Sequence, residues 1–191
     1  MTQTLTPPKT YNEALKRGHY YLQTVGFNGF SFQDLANDLG IRKASLHYYF
    51  SSKEDLGLAL IKEYEKYFNN FTKKNAKLPA IQQLEAWLKY CYGMTKDHQK
   101  LCPIGVLTCE LNTFSSKMHK SLAKFQSNQR RWAHQTLKQG IKEKAFRKNL
   151  DTSWAADIFL ESIQGGLQIA RLHKKPALFQ KTLKGLLKSF S

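Results

Sequence analysis

The sequence predicts an all-α protein of about nine helices, in which a three-helix N-terminal head precedes a larger helical body. Apolar residues recur at intervals of three and four along almost the whole chain, whereas strict alternation of apolar and polar residues is scarce. Glycine, serine and proline interrupt this pattern where one helix would end and the next begin. We find no internal repeat and no low-complexity tract.

The head is predicted from three short periodic segments. The first runs from Lys9 to Val25, the second from about Phe32 to Leu39, and the third from about Lys43 to Tyr49. Ser31 stands where an N-cap oxygen would serve the amides of the second helix, and Gly40 follows that helix as a C-terminal glycine commonly does.

A fourth helix is predicted from Lys53 to about Lys73. Ser52 can cap it, and Glu54 and Asp55 suit the positive end of its dipole. We interpret this long helix as the bridge between the head and the body.

The rest of the body is predicted from longer periodic segments. Proline is tolerated at the first position of a helix, so Pro103 is expected to open one. The predicted segments are Ile81 to about Asp97, the helix opened by Pro103, Ser116 to about Lys144, Thr152 to about His173, and Pro176 to Phe190. We place the domain boundary between residues 1–52 and 53–191.

Composition narrows the class of protein. The 191 residues are 41% hydrophobic and carry a net charge of +16, which attracts polyanions without identifying a fold. No stretch approaches the roughly 20 apolar residues that span a bilayer, and Met1 to Thr10 lacks the layout of a signal peptide. The three cysteines are odd in number and form no CxxC pair, so we expect a cytoplasmic protein without disulfides or structural zinc.

Enzyme signatures are absent from the sequence. The six histidines are scattered, and there is no HExxH motif, GxSxG elbow, P-loop or GxGxxG run. The carboxylates form no obvious pair for acid–base chemistry. We therefore expect no enzyme, no metal and no cofactor.

The segment from Gly26 to Leu56 carries the functional signal. Two short helices joined through Gly40 form a helix-turn-helix, whose second helix can enter the major groove of DNA. That second helix presents hydrogen-bond donors for phosphates and base edges, with no acid to repel DNA. Its polar and aromatic surface comprises Arg42, Lys43, Ser45, His47 and Tyr48.

This segment resembles the TetR/AcrR family of transcriptional regulators. The resemblance rests on a Gly-Phe pair, the run Leu39-Gly40-Ile41, the run from Lys43 to Phe50, and Ser52-Lys53-Glu54. It is strong from about Lys9 to Leu60 and only topological beyond. The chain departs from the usual family pattern at Ala44, where glycine is frequent, and at His47, where tyrosine is frequent.

The resemblance implies a homodimeric repressor that binds double-stranded operator DNA and responds to a small-molecule inducer. It implies base-groove contacts by Lys43, Ala44, Ser45, His47 and Tyr48. Phosphate contacts are implied for Ser31, Arg42, Tyr49 and Lys53. An alternative interpretation is that the aromatic residues here are core and that Lys53 is a solvated lysine.

The last two helices are the candidate dimer interface, since the family pairs them across the dimer. Their apolar stripes favour this assignment, and the alternative is that these stripes bury within one chain. The candidate interface residues are Trp154, Ile158, Phe159, Gly165, Gly166, Leu183 and Leu187.

The middle helices supply a candidate effector site. Large apolar side chains there are able to line a cavity, but stripes of this sort are also ordinary core. Cys102 precedes a proline and is expected at a helix N-cap, where its thiol pKa would fall; the segment is similar to a cysteine-centred run in family members that respond to electrophiles. The opposing interpretation is a small buried cysteine. The candidate sensing residues are Cys102, Trp87, Tyr90, Met94, Phe125 and Trp132.

Two other functions are alternatives to the sequence-specific regulator. A nonspecific architectural DNA-binding protein also suits a charge of +16, although it has little use for so large a body. Membrane-surface binding suits the sequence less, because the lysines are spread over many helices. The favoured mechanism is a shift of the bridge helix, from Lys53 to Lys73, that changes the spacing of two heads set about 34 Å apart on DNA.

Overall fold

The computed structural model describes residues 9–94 and 100–191, and every regular element within these ranges is helical. The order of the elements matches the predicted order of nine α-helices, with one additional 3₁₀ turn at Leu111–Thr113. The α-helices are α1 (Lys9–Val25), α2 (Phe32–Leu39), α3 (Lys43–Tyr49), α4 (Lys53–Asn75), α5 (Ala80–Gly93), α6 (Pro103–Cys109), α7 (Ser116–Lys142), α8 (Thr152–Leu172) and α9 (Pro176–Phe190).

The helix boundaries differ from the predicted ones at three C-terminal ends. Helix α4 continues two residues further, to Asn75, and α7 ends two residues earlier, at Lys142. At the end of α7 the amides of Ala145 and Phe146 both donate to the carbonyl of Gly140. These bonds and the left-handed conformation of Lys144, with a φ of 60°, end the helix. Helix α5 ends at Gly93; its predicted continuation to Asp97, like residues 1–8, lies outside the described residues.

The head is held by matched caps and a small core. The Ser31 hydroxyl accepts from the amide of Asp34 at 3.2 Å while the Asp34 carboxylate accepts from the Ser31 amide at 2.8 Å, forming a capping box. Gly40 ends α2 in the left-handed conformation, with φ of 64°, where a side chain would be strained. Leu35 and Leu46 are fully buried between the head helices. Such caps and burial fix the angle between α2 and α3.

The body is a helical bundle in which α4 and α7 run in the same direction. Ser115, before α7, donates to Glu54 at the start of α4, and Asn128 donates to Glu65 further along at 3.0 Å. Helix α8 packs on both α7 and α9. Its far end meets the head, where Arg171 donates to the carbonyl of Thr24 at 3.1 Å.

Candidate DNA-binding surface and effector cavity

Helix α3 presents the predicted groove-facing residues on its outer surface. Lys43, Ala44, His47 and Tyr48 are all exposed, and they lie on one side of the helix at successive turns. Tyr48 is 84% exposed, which is high for an aromatic side chain in a protein with ample core. The structure thus brings these four side chains together on a surface free to enter a groove.

The remaining residues of α3 are less exposed. Ser45 and Tyr49 are half-buried, whereas Arg42 is exposed at the N-cap. The Tyr49 ring makes edge contacts with Tyr48 at 5.0 Å and with Tyr11 of α1 at 6.0 Å between centroids. Tyr49 therefore packs between Tyr48 and Tyr11 of α1, while part of its ring stays exposed.

Lys53 is turned towards its own chain in this structure. Its ammonium donates to the carbonyl of Phe30 and lies over the rings of Phe27 and Phe30, at 4.9 and 4.7 Å from their centroids. Burial lowers the pKa of the Lys53 ammonium, opposed by the carboxylates of Glu110 and Asp34. The contact fastens the start of α4 to the α1–α2 turn, so the phosphate contact by Lys53 stays a prediction.

A second contact joins the same turn to α6. The carboxylate of Glu110, at the C-cap of α6, accepts from the backbone amide of Asn28 at 3.1 Å, and the Asn28 amide group donates to the Thr113 hydroxyl at 3.0 Å. Gly26 has a φ of 91°, and a side chain there would also clash with the Glu110 carboxylate. We name this group of contacts, from Gly26, Asn28, Glu110 and Thr113, the α6 latch.

The body contains an aromatic cavity of about 490 Å³, within the size range of small-molecule sites. Five of the six predicted sensing residues line it, namely Trp87, Tyr90, Met94, Phe125 and Cys102. The rings of Trp87 and Tyr90 stack with centroids 5.2 Å apart. Trp132 does not line this cavity: it packs on Phe68 and borders a separate shallow cleft.

Two buried polar atoms without a protein partner lie close together, one on Tyr64, which lines the cavity, and one on His19 behind it. The Tyr64 hydroxyl and Nδ1 of His19 accept and donate no hydrogen bond within the described part of the chain. Their rings meet edge to face at 4.5 Å, with His19 on α1 and Tyr64 on α4. Burial lowers the pKa of His19 to about 4 and raises the pKa of Tyr64 well above its usual value. Both side chains are therefore neutral at physiological pH.

Cys102 occupies the N-cap of α6, as predicted, but the expected fall in its pKa was wrong. Burial raises the pKa of the Cys102 thiol, and the amides of Gly105 and Ile104 oppose this rise without overcoming it. Desolvation of a thiolate outweighs the amides of a seven-residue helix here. Cys91, on α5, is buried and its pKa is raised well above the usual value, whereas Cys109 is exposed.

The predicted dimer residues divide into two groups. Phe159, Leu183 and Leu187 are buried, and Gly166 packs against the ring of Phe179 on α9, so these four residues pack within one chain, as the alternative interpretation of the stripes allows. Trp154 and Gly165 are exposed and Ile158 is half-buried. Together with Ile169 and Leu172 they form a row at helical intervals along α8, which we name the α8 stripe: Trp154, Ile158, Gly165, Ile169 and Leu172.

Two family models match the chain. The model for bacterial regulatory proteins of the tetR family matches residues 16–60, which include the whole helix-turn-helix. The model for the tetracyclin repressor-like C-terminal domain matches residues 80–186, more than half of the chain. The chain belongs to the TetR family. It is a transcriptional regulator with the DNA-binding fold of that family, as the sequence predicts.

Relatives of the TetR family agree with this assignment along most of the chain. An uncharacterized HTH-type transcriptional regulator from the lacX 3′ region of Lactococcus lactis subsp. lactis is 24% identical over 153 residues, which cover 77% of this chain and 76% of the relative. A TetR-family regulator from Agrobacterium tumefaciens has a TM-score of 0.90 at 23% identity, covering 97% of this chain and all of that one. FadR from Bacillus subtilis, solved in complex with stearoyl-CoA, has a TM-score of 0.72 at 17% identity, covering 93% and 97%.

Several features of this TetR-family chain were not foreseen. Gln23, Tyr64, Gln129 and Gln164 also line the cavity, which could not be predicted because polar side chains on amphipathic helices are usually assigned to solvent. Within the described residues, no helix is long and apolar enough to cross a membrane. The same residues contain no cluster of three or more metal-ligating side chains.

Proposed function

We propose that this TetR-family regulator is a homodimeric repressor that leaves its operator when a small molecule enters the aromatic cavity. The observation that carries the proposal is the α6 latch, since one short helix contacts the cavity at Cys102 and the head at Glu110. The seven residues of α6, a helix about 10 Å long, thus connect the cavity to the head.

In this proposal, α3 reads the operator. Lys43, Ala44, Ser45, His47 and Tyr48 contact base edges, supported by the exposed face that all of them except Ser45 share. Arg42, Tyr49, Ser31 and Lys53 contact phosphates. Contact by Lys53 requires its ammonium to leave the Phe30 carbonyl, so DNA binding and the position of the α1–α2 turn are expected to be coupled. We also propose the domain division at 52/53, close to the end of the N-terminal family match at residue 60.

Dimerisation is proposed through the α8 stripe. A single helix-turn-helix covers too few base pairs for tight specific binding, so two are paired on half-sites about one DNA turn apart. Trp154 and Ile169 are about half exposed and Leu172 is 74% exposed, an apolar row that a second copy would cover. The exposed Gly165 would permit close approach of the partner helix.

The release mechanism we propose uses α4 and α6 together. Tyr64 and Phe68 of α4 line the cavity, while Lys53 at the other end of α4 holds the α1–α2 turn. An occupant that displaces either helix changes the position of the head relative to the body. To shift binding usefully, it must favour the released form by about 1–3 kcal/mol.

The effector is proposed to be a small apolar molecule. FadR from Bacillus subtilis, a protein of the same fold, was solved in complex with stearoyl-CoA, a molecule that includes a long apolar acyl chain. Three carboxamides, from Gln23, Gln129 and Gln164, line the aromatic cavity and offer hydrogen bonds that fix the ligand's orientation.

A thiol-reactive signal at Cys102 is the second proposal for the effector, supported by the position of Cys102 at the cavity wall. Because its pKa is raised, we expect slow reaction with polar alkylating agents and faster reaction with apolar electrophiles that first occupy the cavity. Mass spectrometry after a limiting dose of iodoacetamide or of an aromatic maleimide distinguishes the cases. Labelling of exposed Cys109 alone by both reagents would end the thiol proposal.

The alternative is a nonspecific architectural DNA-binding protein, which the charge of +16 also suits. In the repressor proposal the protein is not an enzyme. It lies in the cytoplasm, because that is where it would bind chromosomal DNA. Selection from a random duplex library, followed by footprinting, tests it. A palindromic site with half-sites one turn apart is expected; tight binding without any sequence preference would favour the architectural alternative.

A further inference from the structure

Positive charge is unevenly distributed between the head and the body. Residues 1–60, which include the helix-turn-helix, carry six Lys and Arg against five Asp and Glu. Residues 61–191 carry twenty-four Lys and Arg against nine Asp and Glu. The part of the body beyond residue 60 therefore holds fifteen of the sixteen net charges, and operator binding by α3 does not explain the basic character of the protein.

Helix α7 concentrates this charge on one face. Its 27 residues include no Asp or Glu. Six exposed cations fall within about 60° of arc at 100° per residue and extend over about 38 Å of helix. We name this row the α7 basic stripe: Lys117, Lys120, Lys124, Arg131, Lys138 and Lys142.

The stripe lies opposite the buried face of α7, which includes Leu122 and Leu137. The seventh cation, Arg130, lies off the stripe and pairs with Asp157 of α8. A solvated helix face usually mixes both signs of charge, as α4 does where Lys66 lies 3.9 Å from Glu63. Six cations without an intervening acid repel one another, so this face differs from an ordinary solvated one.

We infer that the α7 basic stripe is a second, sequence-independent surface for duplex DNA. A straight row of cations matches the regular phosphates of a rod-like polyanion, and 38 Å corresponds to about 11 base pairs at 3.4 Å each. The exposed side chains between the cations, such as Ser127 and Gln135, are phosphate-binding types. A membrane-binding helix would instead place exposed apolar residues beside its lysines, and the stripe has none.

The second DNA segment is distinct from the operator bound by α3. Helix α7 begins beside the start of α4, where Ser115 donates to Glu54, and then follows α4 away from the head. The stripe therefore extends along the body, and a duplex lying on it contacts residues remote from α3. A regulator bound at its operator holds another stretch of DNA against each body.

The test uses the full chain with its recognition helix disabled by Lys43→Glu and Tyr48→Ala. Anisotropy of a labelled random-sequence 20-base-pair duplex is measured across salt concentrations. We expect residual binding, with a slope of log affinity against log salt of about −4 to −5 for five phosphates. In that background, changing Lys120, Lys124 and Lys138 to Gln should reduce the magnitude of the slope by about 2.7.

The matched control removes the same charge from α9, where Lys181, Lys184 and Lys188 are also exposed. Changing these three to Gln should leave the slope nearly unchanged. Equal losses in both triple variants, or no residual binding at all, would overturn the inference, as would stripe-dependent binding to phosphatidylserine vesicles without binding to the duplex. Residual duplex binding is read independently of operator selection, so this inference and the repressor proposal fail separately.

Discussion

The backbone amide of Asn28 donates to the carboxylate of Glu110 at 3.1 Å, joining two residues that lie 82 positions apart in the chain. Asn28 belongs to the turn that precedes α2, and Glu110 ends the helix that borders the aromatic cavity. The bond therefore connects the proposed effector site of the body to the proposed DNA-binding head.

Replacing Glu110 with Ala is expected to loosen this connection without unfolding the protein. The lost hydrogen bond is near the surface, so the free energy of unfolding should fall by about 0.5–1.5 kcal/mol. Hydrogen exchange at the Asn28 amide should accelerate several-fold, while exchange in α8 stays unchanged. Glu85→Ala, at an exposed position of α5, is the control. Unaltered protection at Asn28 would show that the α6 latch does not hold the turn.

Two substitutions in α3 separate DNA contact from folding. Tyr48→Ala removes an exposed ring, so the melting temperature should change little while operator affinity falls at least about tenfold, as for lost contacts worth 1–3 kcal/mol. Leu46→Ala empties a fully buried site and should cost about 2–5 kcal/mol of stability. Thermal denaturation and gel-shift titration of both variants are the measurements. A Tyr48 variant with wild-type affinity would remove α3 from the proposed operator contacts.

The order and type of the helices could be predicted from the sequence, because capping serines, glycines and prolines mark most boundaries locally. Ser31 and Ser52 cap the helices that they were predicted to cap, and Gly40 ends α2 as predicted. The proposed dimer surface could not be separated from the internal core in the same way. Leu183 and Ile169 are both apolar residues at helical spacing, and only the packing of α8 on α9 decides that Leu183 is buried and Ile169 exposed.

The lining of the cavity could be predicted only in part, because it too depends on how the helices pack. Aromatic side chains of the middle helices gather as expected, but which of them face a space and which pack solidly depends on the crossing of four helices. Trp87 lines the cavity whereas Trp132 does not. The pKa of Cys102 also depends on tertiary burial, which the local helix signal does not reveal.

Acidification should destabilise the protein through His19. Its pKa is about 4 in the folded chain and about 6.5 when unfolded, so the unfolded state binds more protons between these values and stability falls as pH decreases through that window. Between pH 7 and pH 5 the loss from this residue is about 1–2 kcal/mol. Urea denaturation at both pH values measures it. His19→Leu should reduce the loss, whereas His173→Gln, at an exposed position, should not.

The α8 stripe predicts which substitution makes the protein monomeric. Ile169 is 50% exposed, and Ile169→Glu places a charge where a partner helix would exclude water. We expect a monomer with nearly unchanged thermal stability and an operator affinity reduced by two or more orders of magnitude, because only one head then binds at a time. Leu183→Ala acts on the internal contact of α8 with α9, so it should lower stability by about 2–5 kcal/mol before it affects association. Sedimentation velocity of both variants distinguishes these roles: a dimeric Ile169→Glu protein would place the subunit contact elsewhere on the body.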